Sequence, residues 1–236
     1  MDPNLNSESL SIFFPCYNDR ETIGPLIRNA DRVAREWTSD YELLVIDDGS
    51  SDGSREILND LTHQFPRLRN IFHESNQGYG AALRTGFSQA SKNLIFYTDG
   101  DGQYDVSELK TFLSLWSREV DLMNGYKIKR FDPWYRKVLG KLYGTLAKFF
   151  FQIRIRDVNC DYRLLRRHVL DQIRLESKSG AIGLELVKKT QLAGFSITER
   201  PVHHYPRVHG RSEFLKPKKI IETVFDLFRL RCKIKP

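Results

Sequence analysis

Asp99 and Asp101 stand two residues apart in the stretch FYTDGDGQYD, directly after a short apolar run. While the backbone stays extended, residues two apart share a face, so both carboxylates aim at one point, and Gly100 and Gly102 allow close approach. Paired hard oxygens suit a divalent cation. Mg²⁺ or Mn²⁺ takes one or two carboxylates plus water and substrate phosphate oxygens, and Gln103 offers one more oxygen. The competing reading is an ordinary Asp-Gly turn. A second acidic pair, Asp47 and Asp48 in VIDDGSSDGS, also follows an apolar run. A carboxylate there accepts hydrogen bonds from a base or a ribose, whereas Ser50, Ser51 and Asp52 are helix-capping types.

Other chemistry is excluded by spacing. Gly78-x-Gly80 lacks the third glycine and the following acid of a dinucleotide site, and no G-x-x-x-x-G-K-[ST] phosphate loop occurs. Cys16, Cys160 and Cys232 have no paired spacing for zinc or a redox couple, and disulfide stapling is not expected. His203, His204 and His209 lack the H-E-x-x-H pattern of a hydrolytic metal site and read as loop residues that shape a pocket.

These acids need a scaffold. Residues 10–14, 43–46, 68–72, 94–97 and 121–125 read as strands, the first ended by Pro15. Between them, residues 21–37, a segment with Ile57, Leu58 and Leu61 behind a candidate N-cap at Asp52, and residues 80–90 and 106–116 have helical patterns. Such alternation builds right-handed βαβ units. The expectation is an α/β, Rossmann-like fold, a mostly parallel sheet flanked by helices on both faces. Ligands in these sheets sit beyond the C-terminal strand ends, which brings loops 15–20, 47–53 and 99–105 to one site. After residue 126 the pattern changes to helices at 134–151 and 183–192, strands at 162–165 and 196–202, a polar loop HHYPRVHGRS, and a basic amphipathic helix at 218–231.

The chain of 236 residues has a net charge of +7. Its distribution says more: residues 1–117 carry 10 basic and 18 acidic groups, residues 118–236 carry 27 and 12. Different faces are therefore suited to different partners, a metal ion on one and phosphate-bearing molecules on the other; a solvated surface of uneven usage is the plainer reading. With 40% apolar residues, the composition is globular rather than collagen-like, coiled-coil or disordered. No signal peptide opens the sequence and no apolar run approaches the ~20 residues of a bilayer span, so a reducing cytoplasm is expected. No helix-turn-helix, RRM or zinc-knuckle signature is present, and nucleic acid is not an expected partner.

Five segments in register, FFPCYND (13–19), VIDDGSSDGS (45–54), NQGYGAALRTGF (76–87), TDGDGQYD (98–105) and DVNCDYRLLRR (157–167), resemble the inverting family 2 glycosyltransferases of the GT-A fold. Within them the chain resembles the polyprenyl-phosphate branch, the dolichyl-phosphate mannose synthase and undecaprenyl-phosphate glycosyltransferase group. The likeness spans roughly residues 10–214. It implies a GT-A domain over 1–214, with a nucleotide-binding half at 1–126 and an acceptor half at 127–214, followed by the C-terminal amphipathic helix in 215–236.

What the resemblance implies can be placed residue by residue. Pro15, Tyr17 and Asp19 match the family's P-x-Y-N-E segment beside base and ribose, with Asp in place of Glu. Asp47 and Asp48 match its nucleotide-binding acids. Asp99, Asp101 and Gln103 match its D-x-D-x-Q metal site for Mg²⁺ or Mn²⁺, with Thr98 and Gly100 lining the same turn. Lys127 stands where Arg is common, and Arg207 matches the R-x-x-G-x-S loop over the diphosphate, where Glu213 replaces a frequent Lys. Lys127 and Arg207 would then stabilise the departing diphosphate while in-line attack inverts the anomeric centre. A lipid phosphate acceptor needs no general base. A hydroxyl acceptor does, and Asp157, Asp161 and Glu185 are the candidates, with ion pairing the alternative for Asp157 and Glu185.

The implied partners are a nucleotide diphosphate sugar and a polyprenyl phosphate met at the cytoplasmic face of a membrane. Trp134, Tyr135, Phe149, Phe150 and Phe151 among Lys and Arg fit an interfacial helix, and residues 218–231 have the same character. Packing of both apolar stripes on the sheet or on a second subunit is the rival reading. Relatives often continue into transmembrane helices where this sequence stops, which favours a peripheral protein or a separate membrane partner; a homo-oligomer is the other partner considered. A glycosyltransferase with a glycan hydroxyl acceptor, and a non-catalytic sugar-nucleotide-binding module, are the alternatives.

Overall fold

A computed structural model describes residues 8–129, 134–208 and 217–234. Among the described residues, seven strands form one sheet in the order β3-β2-β1-β4-β6-β5-β7. They are β1 (Leu10–Cys16), β2 (Tyr41–Asp47), β3 (Leu68–Phe72), β4 (Leu94–Thr98), β5 (Leu122–Lys127), β6 (Tyr162–Arg166) and β7 (Ile197–Val202). All neighbours are parallel except those of β6, which runs antiparallel to both β4 and β5. The mostly parallel α/β architecture expected from the alternation is present.

Alternation along β1 divides the core into two layers. Leu10, Ile12, Phe14 and Cys16 face a cluster with Ile23, Leu26 and Ile27 of α1 (Arg20–Trp37), Leu58 and Leu61 of α2 (Ser54–Gln64) and Phe112 of α4 (Leu109–Ser114). Phe13 faces the other layer, with Leu83 and Phe87 of α3 (Tyr79–Gln89) and Ile182 and Leu186 of α7 (Ile182–Leu192). There Gly86 lets α3 lie directly on Phe13, since a Cβ would fall 2.3 Å from its ring. A third cluster joins Ala147 and Phe151 of α5 (Trp134–Phe151) and Leu184 and Val187 of α7 to Leu230 of α8 (Pro217–Lys233).

Local differences from the sequence expectations have physical reasons. Pro15 does not end β1, because the β4 ladder stops at Phe13 opposite Tyr97 and the missing N–H breaks no bond there. The stretch 106–116 is a 3₁₀ turn (Val106–Glu108) followed by the short α4, started by Asp105, whose carboxylate accepts the N–H of Ser107 at 2.8 Å. Helix α2 begins two residues after Asp52, behind Gly53 at φ 95°, with the Asp52 carboxylate taking the Ser54 N–H at 3.0 Å. A further helix, α6 (Arg167–Gln172), follows β6 directly. Phe151 is buried in the third cluster and belongs to no interfacial face, whereas Phe149 and Phe150 are exposed. The side chains of Trp134, Tyr135 and Lys218, and residues His209 and Glu213, lie outside the described residues. None of the described helices is long and apolar enough to cross a membrane.

Candidate active site

Strand order reverses at β1: β2 and β3 lie on one side, β4 on the other. The C-terminal ends of β1 and β4 part there and open a cleft of about 790 Å³. Gly100 keeps the chain after β4 close to β1, since a Cβ would sit 2.6 Å from the Pro15 carbonyl oxygen. The Thr22 hydroxyl, in the first turn of α1, donates to the Gly100 carbonyl at 2.8 Å and fixes the turn.

Pro15, Tyr17, Asp19, Asp48, Asp99, Gly100, Asp101, Gln103, Asp161 and Arg207 line this cleft together. Asp99 accepts the Tyr79 hydroxyl at 2.7 Å. Burial, followed by the charges of Asp161 and Asp101, pushes its carboxyl well above the usual range, against the pull of the Tyr79 hydroxyl and Lys127. Asp101 pairs with the guanidinium of Arg207 and accepts the Gln103 N–H at 3.0 Å. Gln103 is tied to the loop after β7 through both its backbone and its side chain: its carbonyl accepts from Tyr205 N–H at 2.8 Å and its amide donates to the Tyr205 carbonyl at 3.0 Å. The Arg207 loop is thus zipped along the D-G-D-G-Q turn.

Asp19 takes the Tyr17 N–H at 3.0 Å, yet its carboxyl is pushed up to about 7, by burial first, with Asp101 and Asp52 adding to it and Arg207 opposing. Asp48 is held by three donors, the N–H groups of Gln77 at 2.8 Å and Gly78 at 2.9 Å and the ring of His73 at 2.7 Å. Asp99 and Asp101, crowded by Asp161, fit a divalent cation: the carboxyl of Asp99 resists ionising because it is buried and, after that, because the charges of Asp161 and Asp101 lie beside it, and Asp101 already holds a cationic group. No three described His, Cys, Asp or Glu side chains form a complete cage. Two carboxylates completed by water and phosphate oxygens require none.

Several expected residues stand elsewhere. Asp47 is fully buried behind the cleft, bonded to Arg55 at 2.6 Å and to the N–H groups of Gly49 and Ser50, so it shapes the turn. Thr98 is also fully buried, opposite Tyr162 on β6. Asp157 accepts the Asn159 N–H at 3.1 Å and does not line the cleft. Lys127 donates to the Asn159 carbonyl and lies 5.8 Å from the Tyr104 ring centroid, behind the cleft wall but close enough to Asp99 to oppose its raised pKa. Glu185 is corrected as a candidate base: it is buried and committed to the N–H groups of Glu176 and Ser177 and to Lys189 at 2.7 Å. Of the three candidate bases, only Asp161 faces the cleft, 3.4 Å from the buried Arg163.

The far wall was missing from the sequence reading. Asn76, Gln77 and Tyr79, the loop Lys178, Ser179 and Gly180, and Lys219, Glu222, Thr223, Phe225 and Asp226 of α8 complete the cleft. The pair Gly78 and Gly80 carried the signal. Cβ atoms there would meet the Lys178 carbonyl oxygen at 2.8 Å and the Lys178 backbone at 2.6 Å, so the glycines let α3 and the 176–180 loop touch. His203 and His204 belong to the same end of the sheet, His203 against Glu108 and the buried His204 against Tyr104.

The sequence model described as Glycosyl transferase family 2 matches residues 11–174. The fold is similar to that of glucosyl-3-phosphoglycerate synthase from Mycobacterium tuberculosis in complex with uridine-diphosphate, at TM-score 0.70 and 16% identity over 97% of this chain and 82% of that one. The complex of that enzyme with Mn²⁺, uridine-diphosphate and glucosyl-3-phosphoglycerate gives 0.69 and 16%, over 97% and 81%. A mannosyltransferase from Pyrobaculum calidifontis in complex with GDP-Man and Mn²⁺ gives 0.66 and 16%, over 94% of this chain and 65% of that one.

Proposed function

This chain belongs to glycosyl transferase family 2 and is a glycosyltransferase of the GT-A fold, and from that premise we propose that it moves a sugar, with inversion, from a nucleotide diphosphate sugar to a polyprenyl phosphate of the undecaprenyl or dolichyl class. The reaction would run at the cytoplasmic face of a membrane with the protein bound peripherally. The observation that carries this reading is the placing of two lysines across one cleft from its carboxylates. Asp19, Asp48, Asp99 and Asp101 lie on the strand-end side, and Lys178 and Lys219 on the loop and helix that close it, where Glu222 pairs with Lys219 at 3.6 Å and Asp226 is taken up by the N–H groups of Lys178 and Ser179. A donor held through a cation suits the first side, and an acceptor that is itself a phosphate suits the second.

In this reading Pro15, Tyr17, Asp19 and Asp48 hold the nucleoside, and Asp47 keeps the Asp48 turn in shape. Asp99 and Asp101, with the Gln103 side chain beside them, hold Mg²⁺ or Mn²⁺, which when bound supplies positive charge to the leaving diphosphate. Arg207 then exchanges Asp101 for the diphosphate, while Lys127 adds positive potential from behind the wall. The acceptor phosphate oxygen is anionic near neutral pH and attacks without a base.

One observation favours a second reading. Asp161 faces the cleft and would serve as general base for a hydroxyl acceptor, and the similar glucosyl-3-phosphoglycerate synthase is found in complex with phosphoglyceric acid. Assaying UDP- and GDP-sugars with Mn²⁺ against undecaprenyl phosphate, dolichyl phosphate and soluble hydroxyl acceptors separates the two. Transfer to the lipids that survives Asp161→Asn is expected. Transfer to soluble hydroxyls alone, abolished by Asp161→Asn, would refute the lipid reading.

A further inference from the structure

Helix α8 turns three sides to three surroundings. Lys219, Glu222, Thr223 and Asp226 line the cleft, while Leu227 and Leu230 pack with α5 and α7. On the opposite side Ile221, Val224, Phe225 and Phe228 recur at helical spacing and are 60–69% exposed. The core does not cover this stripe, and large exposed apolar side chains grouped in this way mark an interaction surface. Phe225 belongs to both surfaces, since it lines the cleft and is 64% exposed. Apolar surface therefore begins at the cleft mouth and continues outward along the helix.

The stripe is firmly placed relative to the site. The Asp226 carboxylate accepts the N–H groups of Lys178 and Ser179, both at 3.0 Å, and Lys233 bonds Glu176 at 2.7 Å. Two turns before Asp226, Lys219, paired with Glu222 at 3.6 Å, brings its ammonium to the same wall, 3.7 Å from where a Cβ on Gly78 would lie. A cation inside the cleft and an aromatic step at its mouth fit one ligand chemistry, an anionic head with a long hydrocarbon tail.

We propose that the Phe225–Phe228 stripe of α8 is the exit path for the acceptor's isoprenoid chain, carrying it from the phosphate in the cleft to the bilayer. This inference rests on the polyprenyl phosphate reading and adds the element that selects chain length. Lys219 holds the head, Phe225 takes the first isoprene units, and Phe228, Val224 and Ile221 carry the later units out to the bilayer.

The test compares undecaprenyl phosphate in phosphatidylcholine vesicles with geranyl phosphate, whose two isoprene units reach Phe225 but not the stripe beyond it, for the full chain and for the double variant Val224→Ser/Phe228→Ser, two residues that do not line the cleft. The expected result is a fall in kcat/KM for undecaprenyl phosphate of roughly 30-fold, from lost apolar burial, with geranyl phosphate changed less than about threefold. The geranyl reaction reports whether the variant is folded and competent. An equal change with both acceptors overturns the exit path and leaves the polyprenyl phosphate reading standing, whereas no transfer to either acceptor by the unaltered chain overturns both. Should the stripe instead seat a second copy, the double variant would lose a dimer seen by sedimentation while its preference between the two lipids stayed the same, and that result also overturns the proposal.

Discussion

Replacing Asp19 by Asn tests the electrostatics of the cleft without removing a hydrogen bond. Asp19 accepts the Tyr17 N–H through one carboxylate oxygen, and an amide oxygen does the same. Burial and the nearby Asp101 push the carboxyl from an ordinary 3.8 to about 7. The folded chain therefore holds this proton more tightly than the unfolded chain. Stability contributed by the protonated group is fully present below about pH 4 and is lost as pH rises toward about 7. At about 1.36 kcal/mol per pH unit, the loss amounts to about 4 kcal/mol as an upper bound. Water reaches the cleft and screens the group, so about 2 kcal/mol is the expected difference. Urea unfolding of both proteins in EDTA, from about pH 4 to about pH 8, reads it directly. The two should match at the acid end, and Asp19→Asn should become the more stable protein at the alkaline end. Parallel stability curves across the range would refute the reasoning, because they would mean that Asp19 ionises in the fold as it does in the open chain.

Two further outcomes follow from the same geometry. Glu185→Gln leaves N–H groups of Glu176 and Ser177 and the Lys189 ammonium facing an amide, and should cost about 3–5 kcal/mol in urea unfolding; unchanged stability with lost turnover would return Glu185 to the chemistry. Saturating Mn²⁺ should raise the unfolding temperature, at a hundredfold excess over Kd by the equivalent of about 2.7 kcal/mol, and Asp99→Asn should remove that rise. A full Mn²⁺ shift in the Asp99→Asn protein would place the cation elsewhere.

How much was legible in the sequence depends on what each signal measures. Short apolar runs located β1, β2 and β4, because a strand buried on both faces has no other way to be written; β3 and β7 are half-buried or exposed along most of their length and carry a weaker pattern. The site acids were legible because they follow such runs at the end where parallel strands place ligands. Asp47 and Asp48 show where that reading stops: adjacent residues on an extended chain point to opposite faces, so one carboxylate reaches the cleft and its neighbour is sealed behind it by Arg55. Which of the two faces inward depends on the phase of β2 in the sheet, and the acidic pair alone does not carry that phase.

The wall of the cleft opposite the carboxylates was hidden for a different reason. Helical periodicity reports that α8 has an apolar side, but this helix has two, one against α5 and α7 and one facing outward, with a polar side between core and cleft. A single amphipathic pattern cannot distinguish them, and so an outward face and internal packing looked like alternatives, whereas the helix has one apolar side exposed and one packed. Its position over the cleft comes from long-range contacts with no local signature: Asp226 binds backbone N–H groups 47 and 48 residues away, and that loop in turn presents the Lys178 carbonyl to the N–H of Gly80 at 2.9 Å. The chain of contacts continues through Tyr79 to Asp99. Helix α8 and Asp99 are therefore parts of one hydrogen-bonded assembly, and a change that unseats α8 reaches the turn that carries Asp99 as well as the far wall of the cleft.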